Sequence, residues 1–315
     1  MNNTKKRPQF MLLLSELFTL VRPEEEYLHV RFAQDAEDAG FDGVLVGEHV
    51  VLGGGAAAQG MAENPRDAVR PHMQAPTTPW PNPLIKLAAI SSVTSQIRLL
   101  ACAILAPLHE PLVLAKELAT LDLISRGRLT VLPTVSWSQE EYKALGVPWT
   151  QRGRLLDEHL AIWRRVWDES PASFEGRHYQ FEDVYLEPKP AQPGGPKIWF
   201  GGDSMHDPVV RRIVEYGSGF TPGFMPSRDD WNKLADAMQE GGRDIAELEI
   251  MFPVMPEFDS KDKPADLAAN IDRLIPPALE QGFNIIGIKP SCFIDDPDDM
   301  GSFCREVVRR VEALI

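Results

Sequence analysis

One pattern constrains this chain more than any other. A short, unbroken apolar run is followed by a longer stretch with helical periodicity, and the pair repeats from one end to the other. The apolar runs fall at 10–14, 43–46, 97–103, 129–132, 197–200, 219–221, 248–253 and 284–289. Most lack the period-two alternation of a half-solvated strand, as expected for parallel strands buried on both faces. Amphipathic stretches lie between and after them, at 23–39, 83–93, 111–124, 154–168, 208–216, 228–239, 263–281 and 298–314. Pro23, Pro83, Pro111 and Pro208 sit where a helix opens and a missing amide costs nothing. Gly40 and Gly282 stand where helices end. Eight such units in 315 residues predict an α/β fold, a closed (β/α)8 TIM barrel forming one domain over 1–315. A doubly wound parallel sheet is the alternative.

Two connections are too long for simple turns. A long loop, 50–81, follows strand two and carries Gly53-Gly54-Gly55; a long insertion, 137–196, follows strand four. In a barrel both belong at the catalytic face, so a substrate lid or wall is expected there, with a solvated insertion as the plainer reading.

The net charge of −14 argues against a nucleic-acid partner, which demands basic patches. Cys102, Cys292 and Cys304 have no metal-ligand spacing and suggest reduced thiols in a cytoplasmic protein without a metal centre. Lys5-Lys6-Arg7 before the first apolar run imitates a signal peptide, but Ser15-Glu16 cuts the run short, so a buried strand is expected. No run approaches the ~18–20 apolar residues of a membrane span.

Candidate chemistry gathers at predicted strand ends. Gly47-Glu48-His49 follows strand two; a histidine there points into the barrel mouth and suits proton transfer. Glu48 either orients His49 or faces away, and a loop-bonded structural histidine is the alternative. Trp199-Phe200-Gly201-Gly202-Asp203-Ser204 leads into a helix, where paired glycines and free amides suit a phosphate, or simply make a turn. Leu132-Pro133-Thr134-Val135-Ser136-Trp137, followed by the acidic helix start Gln139-Glu140-Glu141, offers Thr134, Ser136 and Trp137 to the mouth, although Trp137 could equally plug the core. Arg154 and Glu158 have ion-pair spacing, while Trp163 and Trp167 share a packing stripe. No His-x-His pair, Gly-x-Ser-x-Gly elbow, phosphate-binding loop or Gly-x-Gly-x-x-Gly behind the first strand is present.

Several segments in one order carry a family resemblance. They run from Ala115 to Leu129 (AKELATLDLISRGRL), Glu140 to Pro148 (EEYKALGVP), Arg152 to Glu158 (RGRLLDE), Phe174 to Tyr179 (FEGRHY) and Pro196 to Gly202 (PKIWFGG). Together they resemble the luciferase-like monooxygenases, including their deazaflavin-dependent branch. The resemblance implies a redox cofactor: deazaflavin F420 in the leading reading, FMN in the alternative. It places His49 beside the redox ring, Cys102 and Ala103 beneath it through a nonprolyl cis bond, and Gly201, Gly202, Asp203 and Ser204 at the cofactor phosphate. It also implies a homodimer. Relatives often carry Gly-Val-Gly at the end of strand four, where this chain has the run from Leu132 to Trp137.

The leading expectation is hydride transfer between F420 and a small organic substrate, with His49 as proton donor or acceptor. The alternative is a two-component FMN monooxygenase served by a separate reductase, and a further one is a flavin-binding barrel without turnover. Glu48, Trp80 and Trp137 are expected to line the substrate pocket.

Overall fold

The computed structural model describes residues 7–67, 70–202, 204–223 and 225–315. Its strands are β1 (Gln9–Leu13), β2 (Gly43–Val46), β3 (Arg98–Ile104), β4 (Leu129–Pro133), β5 (Ala172–Glu175), β6 (Gln180–Val184), β7 (Lys197–Gly202), β8 (Gly219–Pro222), β9 (Glu249–Pro253) and β10 (Ile285–Ile288). A closed barrel forms in the order β1-β10-β9-β8-β7-β4-β3-β2, and β5 pairs with β6 as a separate two-stranded sheet. The barrel registers among the described residues are parallel. The expected (β/α)8 architecture is therefore the observed one.

Helices α1 (Leu28–Ala39), α2 (Pro83–Val93), α3 (Pro111–Ile124), α4 (Gln139–Ala144), α5 (Arg152–Asp168), α6 (Asp207–Tyr216), α7 (Arg228–Glu240), α8 (Leu267–Glu280) and α9 (Met300–Glu312) complete the chain. Local chemistry sets their ends. Asn82 and Glu110 accept the N–H groups of Ile85 and Val113, and Pro83 and Pro111 open the helices behind them. Gly40 ends α1 at φ 90°, a conformation that a Cβ disfavours.

Backbone contacts gather into two compact units: Met1–Leu45, Ala62–Val69 and Trp199–Ile315 in one, Val46–Met61 and Arg70–Ile198 in the other. In the first, Phe10, Met11, Leu12, Ile286 and Ile288 are buried and Trp199 is fully enclosed. Gly219 pairs with Trp199, and a Cβ there would come within 2.3 Å of the indole nitrogen, so the indole requires glycine. In the second, α5 lays Trp163 and Trp167 against α3, their indole N–H groups donating to the carbonyls of Pro111 and Ala115. Both side chains pack, as their spacing suggested.

Several boundaries differ from the periodicity. The helix predicted at 23–39 begins with a separate turn, Pro23–Glu25. The one predicted at 263–281 begins at Leu267, because Asp266 caps Ala269. The β5–β6 hairpin was not anticipated; its mostly solvated side chains leave no apolar signature. Glu158 is not an ion-pair partner of Arg154. Its carboxylate accepts the N–H groups of Arg177, His178 and Tyr179 at the hairpin turn, while Arg154 donates to Gln151.

Candidate active site

Beyond β2 the chain emerges as Gly47-Glu48-His49, and the two side chains part company. His49 is buried and turns its Nδ1 toward Glu141 of α4, 3.4 Å from Oε2. Glu141 is fully enclosed. Its Oε1 accepts the N–H groups of Val50 at 2.7 Å and Val51 at 3.3 Å, and its Oε2 accepts the Ser136 hydroxyl at 2.5 Å. Burial by itself would raise the carboxyl's pKa, but the bonds from His49, Ser136 and Val50 outweigh it and hold the group below the usual glutamate value. Glu141 is thus an ionised carboxylate surrounded by donors.

Two indoles flank the imidazole edge-on, Trp80 at 4.9 Å and Trp137 at 5.2 Å between ring centroids. His72 meets Trp137 from elsewhere in the loop at 4.6 Å. His49, Trp80 and Trp137 therefore come together, and Trp137 is half-buried beside a histidine instead of plugging the core. Aromatic edges of this kind restrain a ring and keep water from one side of it.

Glu48 corrects an expectation. It neither orients His49 nor stands open as a pocket wall. Its Oε2 accepts the Leu105 N–H at 2.8 Å and faces His109 Nε2 at 3.0 Å. For His109 burial favours the neutral ring, yet the Glu48 hydrogen bond and charge prevail and raise its pKa. His159 is buried behind it, with Nε2 3.1 Å from the His109 carbonyl, and burial lowers its pKa.

Cys102 and Ala103 lie half-buried near the end of β3, joined by a cis peptide bond. Desolvation pushes the Cys102 thiol up to about 12, so it stays neutral and unreactive. Thr134 continues β4, its N–H donating to Ile104. In the run from Leu132 to Trp137, Leu132 is buried and Ser136 holds Glu141.

In the other unit, Gly201 and Gly202 end β7 and Ser204 is exposed ahead of α6. Lys233 brings a cation to this loop, bonding the Met205 carbonyl and Asp207. Asp203 lies outside the described residues. Among the described residues no group of three His, Cys, Asp or Glu side chains is arranged to hold a metal ion, and no helix is long and apolar enough to cross a membrane.

Ser136 was expected at the mouth and Glu141 in a helix start, but their pairing was not foreseen, and His109 was not singled out from the sequence. A helix-start signal was available, since Ser138 caps α4 by accepting the N–H of Glu141, three residues on. What that glutamate faces was not written there.

Residues 18–282 match the family described as luciferase-like monooxygenase. The chain belongs to that family. Among curated members, an uncharacterised protein of Mycobacterium tuberculosis is 31% identical over 59% of this chain and 66% of its own length. The FMNH(2)-dependent dimethylsulfone monooxygenase of Pseudomonas putida is 35% identical over 37% of this chain and 32% of its own. The matched segments thus span less than two thirds of these luciferase-like relatives. Two solved structures share the fold. Monooxygenase RslO1 from Streptomyces bottropensis has a TM-score of 0.74 at 18% identity, covering 97% of this chain and 99% of that one. The coenzyme F420 dependent tetrahydromethanopterin reductase from Methanopyrus kandleri has a TM-score of 0.67 at 13% identity, covering 98% and 99%.

Proposed function

We propose that this chain is the oxygenating component of a reduced-FMN monooxygenase acting on a small organic molecule, with a separate reductase supplying the flavin. This reading takes the place of the F420 hydride transfer first expected. A curated relative named as FMNH(2)-dependent is 35% identical where it aligns, whereas the F420 reductase, at 13% identity, shares only the fold. The observation that carries the chemistry is His49, held by an ionised Glu141 and bounded by Trp80 and Trp137.

The residues of this region fit an electron-rich ring. Both buried carboxylates, Glu48 and Glu141, are engaged by donors, and the Cys102 thiol is uncharged. Bound reduced flavin supplies the electrons for activating dioxygen. Around it, Cys102, Ala103 and Thr134 would form a wall of small side chains, and Trp80 and Trp137 would exclude water and seat an apolar substrate. His49 would carry the proton. The loop from Gly201 to Ser204 is proposed separately as a phosphate site with the Ser204 hydroxyl as donor; α6 itself adds little, since Pro208 has no N–H and His206 takes those of Val209 and Val210.

A homodimer is proposed through α2 and α3. Ile85, Val113 and Ile124 are 73%, 56% and 53% exposed, although both helices are apolar on nearly every side. A groove there joins Ile85, Ala88, Leu121 and Ile124 to Lys116 and Glu117, giving a second copy both apolar surface and matched charges.

Anaerobic titration of the protein with FMN, reduced FMN and F420, followed by ring absorbance or fluorescence, tests the assignment. Tight binding of reduced FMN is expected; binding of F420 with none of either FMN form would overturn it.

A further inference from the structure

The hydrogen bonds around Glu141 permit only one arrangement of protons. An ionised carboxylate has no hydrogen to give, so every group in contact with it must donate. Val50 and Val51 give Oε1 their N–H groups. At Oε2 the hydroxyl of Ser136 has its own direction settled, because Ser136 Oγ accepts the Ser138 N–H at 3.0 Å and turns its proton to Glu141. The remaining neighbour is His49 Nδ1. It too must carry a hydrogen.

We propose that Glu141 is a positioning residue that fixes His49 as the Nδ1–H tautomer, leaving Nε2 as a bare lone pair. In its neutral form His49 is then a base, not an acid. When it accepts a proton, the bond from hydrogen to the substrate atom breaks and its electron pair stays on that atom. The new N–H forms at Nε2, and the imidazolium lies against the Glu141 carboxylate, so the enclosed pair gains no uncompensated charge. Other titratable groups near the pair are His109 and Tyr142, and burial drives the Tyr142 hydroxyl well above its ordinary pKa. The catalytic meaning rests on the oxygenase reading above; the tautomer does not.

Nitrogen-15 NMR of the full-length chain labelled at its seven histidines tests this without flavin. The His49 signals are identified by their loss in His49→Gln and are read slightly alkaline of neutrality. Expected in the native protein are a protonated Nδ1 and a bare Nε2. The variant Glu141→Gln sharpens the test. Val50 and Val51 still need an acceptor, so the amide oxygen takes the Oε1 place and the NH2 group faces Ser136 and His49. An NH2 donor demands a lone pair at Nδ1, so the tautomer should invert to Nε2–H.

A native His49 with hydrogen on Nε2 overturns the inference, even if Glu141→Gln does not fold. Retention of Nδ1–H in a folded Glu141→Gln overturns the role of Glu141. If flavin fails to bind while the native tautomer is as stated, the oxygenase reading falls and this one stands. In an active enzyme, Glu141→Gln should lower kcat about 100-fold, the usual scale of lost general-base catalysis, with KM little changed.

Discussion

Replacing Glu48 by glutamine tests the division of labour between the two buried carboxylates. The Glu48 side chain is 4% exposed and that of His109 is 23% exposed, so solvent screens their contact only weakly. The glutamine oxygen can still accept from Leu105, and its volume is unchanged; what disappears is the charge. Hydrogen bonds to a charged partner contribute about 1 kcal/mol more than neutral ones. With the Leu105 and His109 bonds both affected, Glu48→Gln should cost about 2 kcal/mol where His109 is protonated. Glu48 raises the pKa of His109 in the folded protein. Stability from this pair is therefore fully present below the unfolded histidine value of about 6.5, and is lost as pH rises through the raised folded value. Urea unfolding of both proteins at about pH 5.5 and pH 9 should show a gap of about 2 kcal/mol at the acid end, shrinking to about 1 kcal/mol or less at the alkaline end. A gap that is constant, or larger in alkali, refutes the pairing. The His49 tautomer should not change in this variant.

Three other outcomes follow from the same geometry. His49→Ala should leave flavin affinity intact and lower kcat about 100-fold or more; a loss under about tenfold removes His49 as the proton carrier. Glu158→Ala strips the hairpin turn of its acceptor, so hydrogen exchange at Arg177, His178 and Tyr179 should accelerate while the amides of α5 stay protected. Ile85→Glu combined with Ile124→Glu should convert a dimer to a monomer by light scattering without loss of flavin binding, and an unchanged mass would exclude the α2–α3 face.

What the sequence determined by itself is the scaffold. Parallel strands buried on both faces must be continuously apolar, and the runs at 43–46 and 129–132 could hardly be anything else. Pro83, Pro111 and Gly40 placed helix ends to the residue, because backbone geometry at proline and glycine is a local matter. The place of His49 just beyond β2 was legible too, since a strand end is set by local sequence.

Its partner was not visible. His49 meets Glu141, 92 residues away, while its own neighbour Glu48 serves His109. Nothing local distinguishes Glu140, which bonds Gly55 from an exposed position, from Glu141, which is sealed among donors. The departure of the run from Leu132 to Trp137 read as lost open space. In the fold its Ser136 and Trp137 turn out to be the groups that hold and wall the histidine. Hydrogen-bond partnership and burial depend on which chain segments the barrel brings together, and that is decided only when the tertiary structure closes.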